Sequence, residues 1–321
     1  MSKTILVTLR NLNAAQDALI ESAAREKGYD VIFAADDARA QAAAGEAEII
    51  FGASAPLLKC SPNLKWLCVP SAGTDQYLKP VLEDREGVML SNSSGAYGVT
   101  IAEHTVMATL MLMRRELEYA ELVRHRGWRR DLPVRAIRDC RATLLGTGDI
   151  GREVAVRLRA FGARSITGVN RRGRDPGPMF DAAHAIDRLD DVLPETDLLI
   201  MSLPDTPETR GIMDDRRLRL LSDDAFIVNV GRGSAIDEAA LARQLHEGRF
   251  GGVALDVFTR EPLSADDPLW DCPRLLITPH VAGNMTLAYT RQRIVELFLE
   301  DFARYCEGKP LQRRVALQQG Y

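Results

Sequence analysis

The chain lacks any apolar run long enough to cross a bilayer. The longest in its middle, Val106 to Met113, falls far short of the ~20 residues a membrane helix needs. It also lacks an excess of charge of either sign. Lys and Arg number 41 against 45 Asp and Glu, for a net charge of −4, so nothing in the balance favours nucleic acid or an anionic membrane as a partner. Cysteine is scarce: Cys60, Cys68, Cys140, Cys272 and Cys306 are scattered, odd in number and form no CxxC pair. That argues against a disulfide frame or a zinc cluster and for free thiols in a reducing compartment. His104, His125, His184 and His246 show no H-E-x-x-H or comparable spacing, so no metal site is expected. The opening MSKTILVTLRNLNAAQ has neither the apolar centre nor the cleavage site of a secretion signal. The expected location is the cytoplasm, where the sequons at Asn92 and Asn284 mean nothing. The basic run from Arg124 to Arg130, with Trp128 inside it, is expected to be a solvated or interface-facing helix end rather than a nucleic-acid patch.

What is present is an ordinary globular composition, 46% hydrophobic and 27% charged over 321 residues, enough for two domains of the usual ~100–200 residues. Strand-like and helix-like stretches alternate. KTILVTL, DVIFAA, AEIIFGAS and LKWLCVPSAG read as strands, with a helix from Asn13 to Lys27 closed by Gly28. A long helix from roughly Thr100 to Val123 carries Met, Leu and Val on most faces and is expected to be buried nearly all round. The alternation restarts at Arg141 with ATLLG, SITGVN, DLLIMSLP, FIVNVGRG, GGVALDVF and RLLITPH, and a last helix runs from Thr286 to Cys306. The expected fold class is α/β: two doubly wound, Rossmann-like or flavodoxin-like parallel-sheet domains with a cleft between them.

Between the strands ATLLG and SITGVN lies Gly146-Thr147-Gly148-Asp149-Ile150-Gly151, a G-x-G-x-x-G turn in the strand-to-helix context that gives it meaning. The first glycine makes the turn, the second admits a pyrophosphate, and the third packs helix on strand. The phosphates would sit at the positive helix N-terminus. The next strand ends at Asn170, where NAD enzymes usually carry Asp or Glu for the ribose hydroxyls. Asn170 removes a charge that would repel a 2′-phosphate, and Arg171 and Arg172 can clamp one. NADP is therefore the expected coenzyme, with NAD as the alternative.

The C-terminal third, VNVGRGSAIDEAALARQLHEGRFGGVALDVFTREPLSADDPLWDCPRLLITPHVAG, resembles the signature of the D-isomer-specific 2-hydroxyacid dehydrogenases. The likeness runs almost the full length, through VPSAGTD (Val69 to Asp75), AEHT (Ala102 to Thr105), the glycine turn and LPDTPETRG (Leu203 to Gly211). It implies that Arg232 binds the carboxylate of a 2-keto acid, that His280 donates the proton, and that Glu261 tunes the histidine. Chemistry agrees with that division. A planar guanidinium matches a carboxylate bidentately, histidine titrates near working pH, and a nearby carboxylate favours imidazolium. The resemblance further places Ser71, Ala72 and Gly73 on the substrate carboxylate and Asp256 on the nicotinamide carboxamide. It puts Thr100, Gly146, Gly148, Asp149, Ile150, Leu203, Pro204, Thr209, Val230, Gly231, His280 and Gly283 along the cofactor.

The expected organisation is a substrate domain of residues 1–97 completed by 286–321, and a dinucleotide-binding domain of 98–285. A homodimer is implied, with the long helix near its interface. The implied activity is NAD(P)-dependent reduction of a small 2-keto acid of glyoxylate or hydroxypyruvate type to the D-2-hydroxy acid. Two alternatives stand beside it: a phosphoglycerate- or phosphite-like acid as substrate, or a nucleotide-sensing partner protein with little turnover. SAGTD and TPHVAGNMT depart from the usual family pattern beside the pocket, where substrate choice is made.

Overall fold

The computed structural model describes residues 3–52, 55–74, 77, 85 and 87–316. Asp75 of the expected substrate loop and residues 317–321 lie outside them. The chain forms two compact units, Met1–Tyr97 with Asn284–Tyr321, and Gly98–Gly283.

In the first unit β1 (Lys3–Val7), β2 (Tyr29–Phe33), β3 (Ala47–Phe51), β4 (Trp66–Cys68) and β5 (Met89–Ser91) form a sheet in the order β2-β1-β3-β4-β5. Every pairing is parallel. Parallel strands are covered on both faces, which is why Ile49, Ile50 and Phe51 are buried in succession. Helix α1 (Ala14–Glu26) starts at a capping box in which Asn13 and Gln16 each accept the other's backbone N–H at 3.0 Å. Short helices α2 (Asp37–Ala43) and α3 (Ala55–Lys59) follow.

The second unit opens with α4 (Gly98–Met113) and α5 (Glu116–Arg124), where one continuous helix was expected. Arg115 interrupts them with φ 61°, a left-handed residue that ends the i→i−4 ladder. Its guanidinium donates to the carbonyl of Gly251 at 3.2 Å and pairs with Glu118. Only α4 is a buried helix; α5 buries no residue. The seven strands that follow are β6 (Arg141–Leu145), β7 (Ser165–Asn170), β8 (Ala182–Ala185), β9 (Leu198–Met201), β10 (Phe226–Asn229), β11 (Gly252–Leu255) and β12 (Leu275–Ile277). They lie in the order β12-β11-β10-β9-β6-β7-β8, all parallel. Helices α6 (Asp149–Ala160), α7 (Leu189–Val192), α8 (Asp215–Leu220) and α9 (Glu238–His246) cross between them. The chain runs outward from β6 to β8, then returns to lay β9 on the other side of β6. That reversal is the switch point at which open α/β sheets bind ligands.

The last helix, α10 (Ala288–Cys306), belongs to the first unit. Phe298 stacks on Phe51 with centroids 4.0 Å apart and on Trp66 at 5.4 Å, while Phe302 meets Tyr29 edge-on. Buried Asp301 accepts the backbone N–H groups of Gln312 and Arg313, turning the tail so that Val315 pairs with Leu90. All five cysteines are free thiols; burial pushes Cys68 up to about 12 and Cys140 up to about 11. Among the described residues no helix is long and apolar enough to cross a membrane. Nor, among them, is there a group of three or more His, Cys, Asp or Glu placed to hold a metal ion.

Phe298→Ala removes the ring at the centre of that aromatic stack. The expected cost is roughly 3–5 kcal/mol, read as a melting transition lowered by about 10 °C or more. A shift of a degree or two would mean that α10 contributes little to the first unit.

Candidate active site

At the switch point the chain leaves β6 through Gly146, whose φ of 106° suits only glycine. A Cβ on Gly151 would lie 2.2 Å from the Gly146 carbonyl oxygen, so α6 can close on the turn only without one. A Cβ on Gly148 would meet no atom within 4 Å. That open space lies over the N-terminus of α6, whose N-cap Gly148 provides no side-chain cap. First-turn amides with no place in the intrahelical ladder, the positive end of the helix dipole and the room above Gly148 fit a pyrophosphate. Asp149 opens α6 against α4: a Cβ on Gly98 would lie 2.5 Å from its carboxylate. Ile150 is half-buried beside it and Thr100 is buried on α4.

Asn170, the last residue of β7, does more than leave out a charge. Its Oδ1 accepts the backbone N–H groups of Arg172 at 3.2 Å and Arg174 at 3.1 Å. Its Nδ2 donates to the Arg174 carbonyl and to Thr147 Oγ1 in the glycine turn. The side chain therefore staples a loop bearing Arg171, Arg172 and Arg174 to the phosphate cradle.

On the far side of the switch point, Leu203 and Pro204 follow β9 and Val230 to Arg232 follow β10. A Cβ on Gly231 would lie 2.6 Å from the Leu203 nitrogen, which sets how closely the two loops approach. The hydroxyl of Thr209 is committed within its own loop, donating to Pro204 O at 2.6 Å and accepting from Thr206 N. Buried Asn229 shapes the second loop, accepting from Gly231 N and donating to Arg232 O. Arg232 Nη1 donates to Gly231 O at 2.9 Å. Asp205 lies close enough for the Arg232 charge to act on it. Hydrogen bonds from Arg210 first, then from Ser234, with both arginine charges, hold its carboxyl below the ordinary value against the effect of burial.

After β11 comes Asp256, a carboxylate only 2% exposed. Oδ1 accepts from the Thr278 hydroxyl at 2.6 Å and Val281 N at 2.9 Å, and Oδ2 from Ala282 N at 2.9 Å. Its own carbonyl accepts from His280 N at 2.8 Å. His280 is thereby held with φ 52°, and its Nδ1 lies 2.7 Å from Glu261 Oε2. The other carboxylate oxygen of Glu261 accepts from Phe258 N. Arg232, Glu261 and His280 thus all follow strands of one sheet at its C-terminal edge. Gly283 ends the unit.

In the first unit the loop after β4 is held by its carbonyls. Tyr97 OH donates to Pro70 O, Ser93 N to Ser71 O, Asn92 Nδ2 to Ala72 O and Ser71 Oγ to Gly73 O. In a trans peptide the next N–H points opposite its carbonyl, so the amides of Ser71, Ala72 and Gly73 face away from those anchors.

Sequence reasoning missed His104, Thr278, Asn92 and Tyr97. The sequence reading takes His104 only as a histidine without metal-ligand spacing and as part of AEHT, and Asn92 only as a sequon. A hydroxyl or amide that supports a loop leaves little trace in a single sequence.

Residues 106–282 match the family model described as D-isomer specific 2-hydroxyacid dehydrogenase, NAD binding domain. A glyoxylate reductase of Aeropyrum pernix is 31% identical over 79% of this chain and 76% of its own. The structure of a D-isomer specific 2-hydroxyacid dehydrogenase family protein from Aeromonas salmonicida superposes with a TM-score of 0.87 at 31% identity, covering 99% of this chain and all of the other. An NADPH-dependent glyoxylate/hydroxypyruvate reductase from Sinorhizobium meliloti, solved with NADP and sulfate, gives 0.82 at 28% identity over 99% of this chain and all of the other. On these likenesses the chain belongs to the D-isomer-specific 2-hydroxyacid dehydrogenases, as an oxidoreductase that uses NADP or NAD.

Proposed function

We propose that this enzyme reduces a small 2-keto acid, of glyoxylate or hydroxypyruvate type, to the D-2-hydroxy acid, with NADPH preferred over NADH. The observation that carries the reading is the His280–Glu261 pair, which follows strands of the same sheet as Arg232. An ionised Glu261 only accepts, so the His280 Nδ1 at 2.7 Å bears a hydrogen and donates. Nε2 is then the ring nitrogen left for the substrate, and in the imidazolium form it delivers a proton to the carbonyl oxygen. The coenzyme supplies the hydride to C2. Arg232 takes the carboxylate with its planar fork; in the first unit, the amides of Ser71 to Gly73, turned from the groups that hold the loop's carbonyls, are donors suited to an anion. Asp256 offers Oδ2 to the carboxamide, while Thr100, Leu203, Pro204, Thr209 and Val230 line the cofactor's course.

Relatives named glyoxylate reductase and glyoxylate/hydroxypyruvate reductase support the substrate class. The stapled arginines after Asn170 support NADPH. A homodimer is supported by Val123 and Trp128, which α5 and its following segment leave exposed (Trp128 91%). Five free thiols fit a reducing compartment such as the cytoplasm.

The direct test is NADPH oxidation followed with glyoxylate, hydroxypyruvate and pyruvate. Turnover of none of them would favour a nucleotide-binding partner protein. His280→Ala is expected to lower kcat roughly 10²–10⁴-fold, the usual worth of a positioned acid, with NADPH affinity nearly unchanged. Near-normal turnover by that variant would remove His280 from the proton step.

Arg232→Lys keeps the charge and loses the fork, so kcat/KM for the keto acid should fall at least tenfold while NADPH binding persists. A lysine variant of undiminished efficiency would show that another group holds the carboxylate.

Replacing Arg171 and Arg172 together by alanine should weaken NADPH tenfold or more, at ~1.5–3 kcal/mol per charged contact, and leave NADH alone. Equal loss of both coenzymes would place the two arginines away from the 2′-phosphate.

A further inference from the structure

Asp256 is anchored from a second direction, by a helix that carries none of the residues given to catalysis above. His104 on α4, 14% exposed at its side chain, brings Nε2 to 3.3 Å from Thr278 Oγ1. The same hydroxyl lies 2.6 Å from Asp256 Oδ1. A carboxylate only accepts, and a hydroxyl has one hydrogen to give. Thr278 must spend that hydrogen on Asp256, so towards His104 it can only accept. His104 Nε2 therefore carries a hydrogen and donates, and the chain of donors runs in one direction: His104 to Thr278 to Asp256. The imidazole itself stands 3.9 Å from Asp256 Oδ1, beyond a hydrogen bond. Its hold on the carboxylate passes through the threonine.

The geometry points to His104 as a positioning residue for the nicotinamide end of the coenzyme. A hydroxyl is a rotor, and one left with a single partner can swing. Fixed from behind by His104, Thr278 pins Oδ1, and with Val281 and Ala282 it sets the plane of the carboxylate. An ionised carboxylate has about four acceptor sites, and these three donors leave Oδ2 capacity for one more, the amide of a nicotinamide. His104 touches neither substrate nor coenzyme in this account; it acts through Thr278. The inference rests on the reading of the glycine turn and Asp256 as the coenzyme site.

The test is binding, measured by calorimetry on the full chain with two probes: NADPH, and 2′-phospho-ADP-ribose, which lacks the nicotinamide. His104→Leu keeps bulk and removes the donor. It should weaken NADPH about fivefold or more and leave 2′-phospho-ADP-ribose within twofold. His104→Gln restores an N–H donor and should bring NADPH back to within about twofold of the parent chain. Thr278→Val should weaken NADPH at least as much as His104→Leu, and the double variant should be no worse than Thr278→Val alone, because both cut one chain of contacts. His104→Ala, compared with His104→Gln, carries the test should His104→Leu fail to fold. Equal loss of both probes, failure of glutamine to rescue, or multiplying effects in the double variant would each overturn the role given to His104. If NADPH binds the parent chain and His104→Leu alike, the inference alone falls. If the parent chain binds neither NADPH nor NADH, the coenzyme reading falls and takes the inference with it.

Discussion

A buried carboxylate is costly unless donors surround it, and the way Asp256 meets that demand organises the second unit's edge. Lying just past β11, it collects the Thr278 hydroxyl and two amides from Val281 and Ala282, while its carbonyl takes the amide of His280. Those bonds draw the segment after β12 across the end of β11 and bend it tightly. His280 accordingly adopts a left-handed backbone, φ 52°, which costs a non-glycine residue roughly 1–3 kcal/mol. The carboxylate over-determines the loop and so tolerates that strain. Its result is that the imidazole turns towards Glu261 rather than along the strand. The residue that the family resemblance assigns to the coenzyme is also the one that shapes the loop of the proposed proton donor.

Topology supplies the rest of the convergence. Because β9 returns to the opposite side of β6, the turns after those strands diverge and leave room between them. Close backbone approach then fixes the walls of that room. Gly151 lets α6 sit on the Gly146 carbonyl, and Gly231 lets the loop carrying Arg232 rest on Leu203. A methyl group at either place would push apart loops proposed to share one ligand.

How far the sequence led is best seen in particular places. Strands rich in Val, Ile and Leu were legible as such: SITGVN is β7 residue for residue. Ala182–Ala185 and Met89–Ser91 were not singled out, being too short to show a pattern and formed only where neighbouring strands offer partners. The long helix was misread at Arg115 because its break comes from a tertiary bond to Gly251, which no local propensity carries. At the site, Arg232, Glu261 and His280 could be named from their motif, whereas the supporting bonds could not. Thr209 is the instructive case. The resemblance sets it along the coenzyme, and its hydroxyl is committed to Pro204 and Thr206, so any contribution it makes runs through the shape of that loop.

Three asparagines show how the remaining loops are fixed. Asn92 follows β5, and Asn170 and Asn229 are the last residues of β7 and β10. Each accepts, at its side-chain oxygen, the backbone N–H two residues ahead: Ser94, Arg172 and Gly231 respectively. This Asx turn is a bend that the side chain closes in place of a backbone carbonyl. It satisfies an amide at the point where the ladder stops supplying partners, and it does so without adding charge. An aspartate could close the same bend, but its negative charge would stand where phosphates or carboxylates are to bind. Each amide nitrogen then secures a second piece of chain: Ala72 O for Asn92, Arg174 O for Asn170 and Arg232 O for Asn229. Each asparagine thereby supports a group proposed to meet an anion: the amides of residues 71–73 on the neighbouring loop, the arginines after β7, and Arg232. Neutral, bifunctional side chains at strand ends are thus the common physical means by which this fold aims positive groups. Asp256, a carboxylate that follows β11, is the residue proposed to face the uncharged amide of the coenzyme rather than an anion.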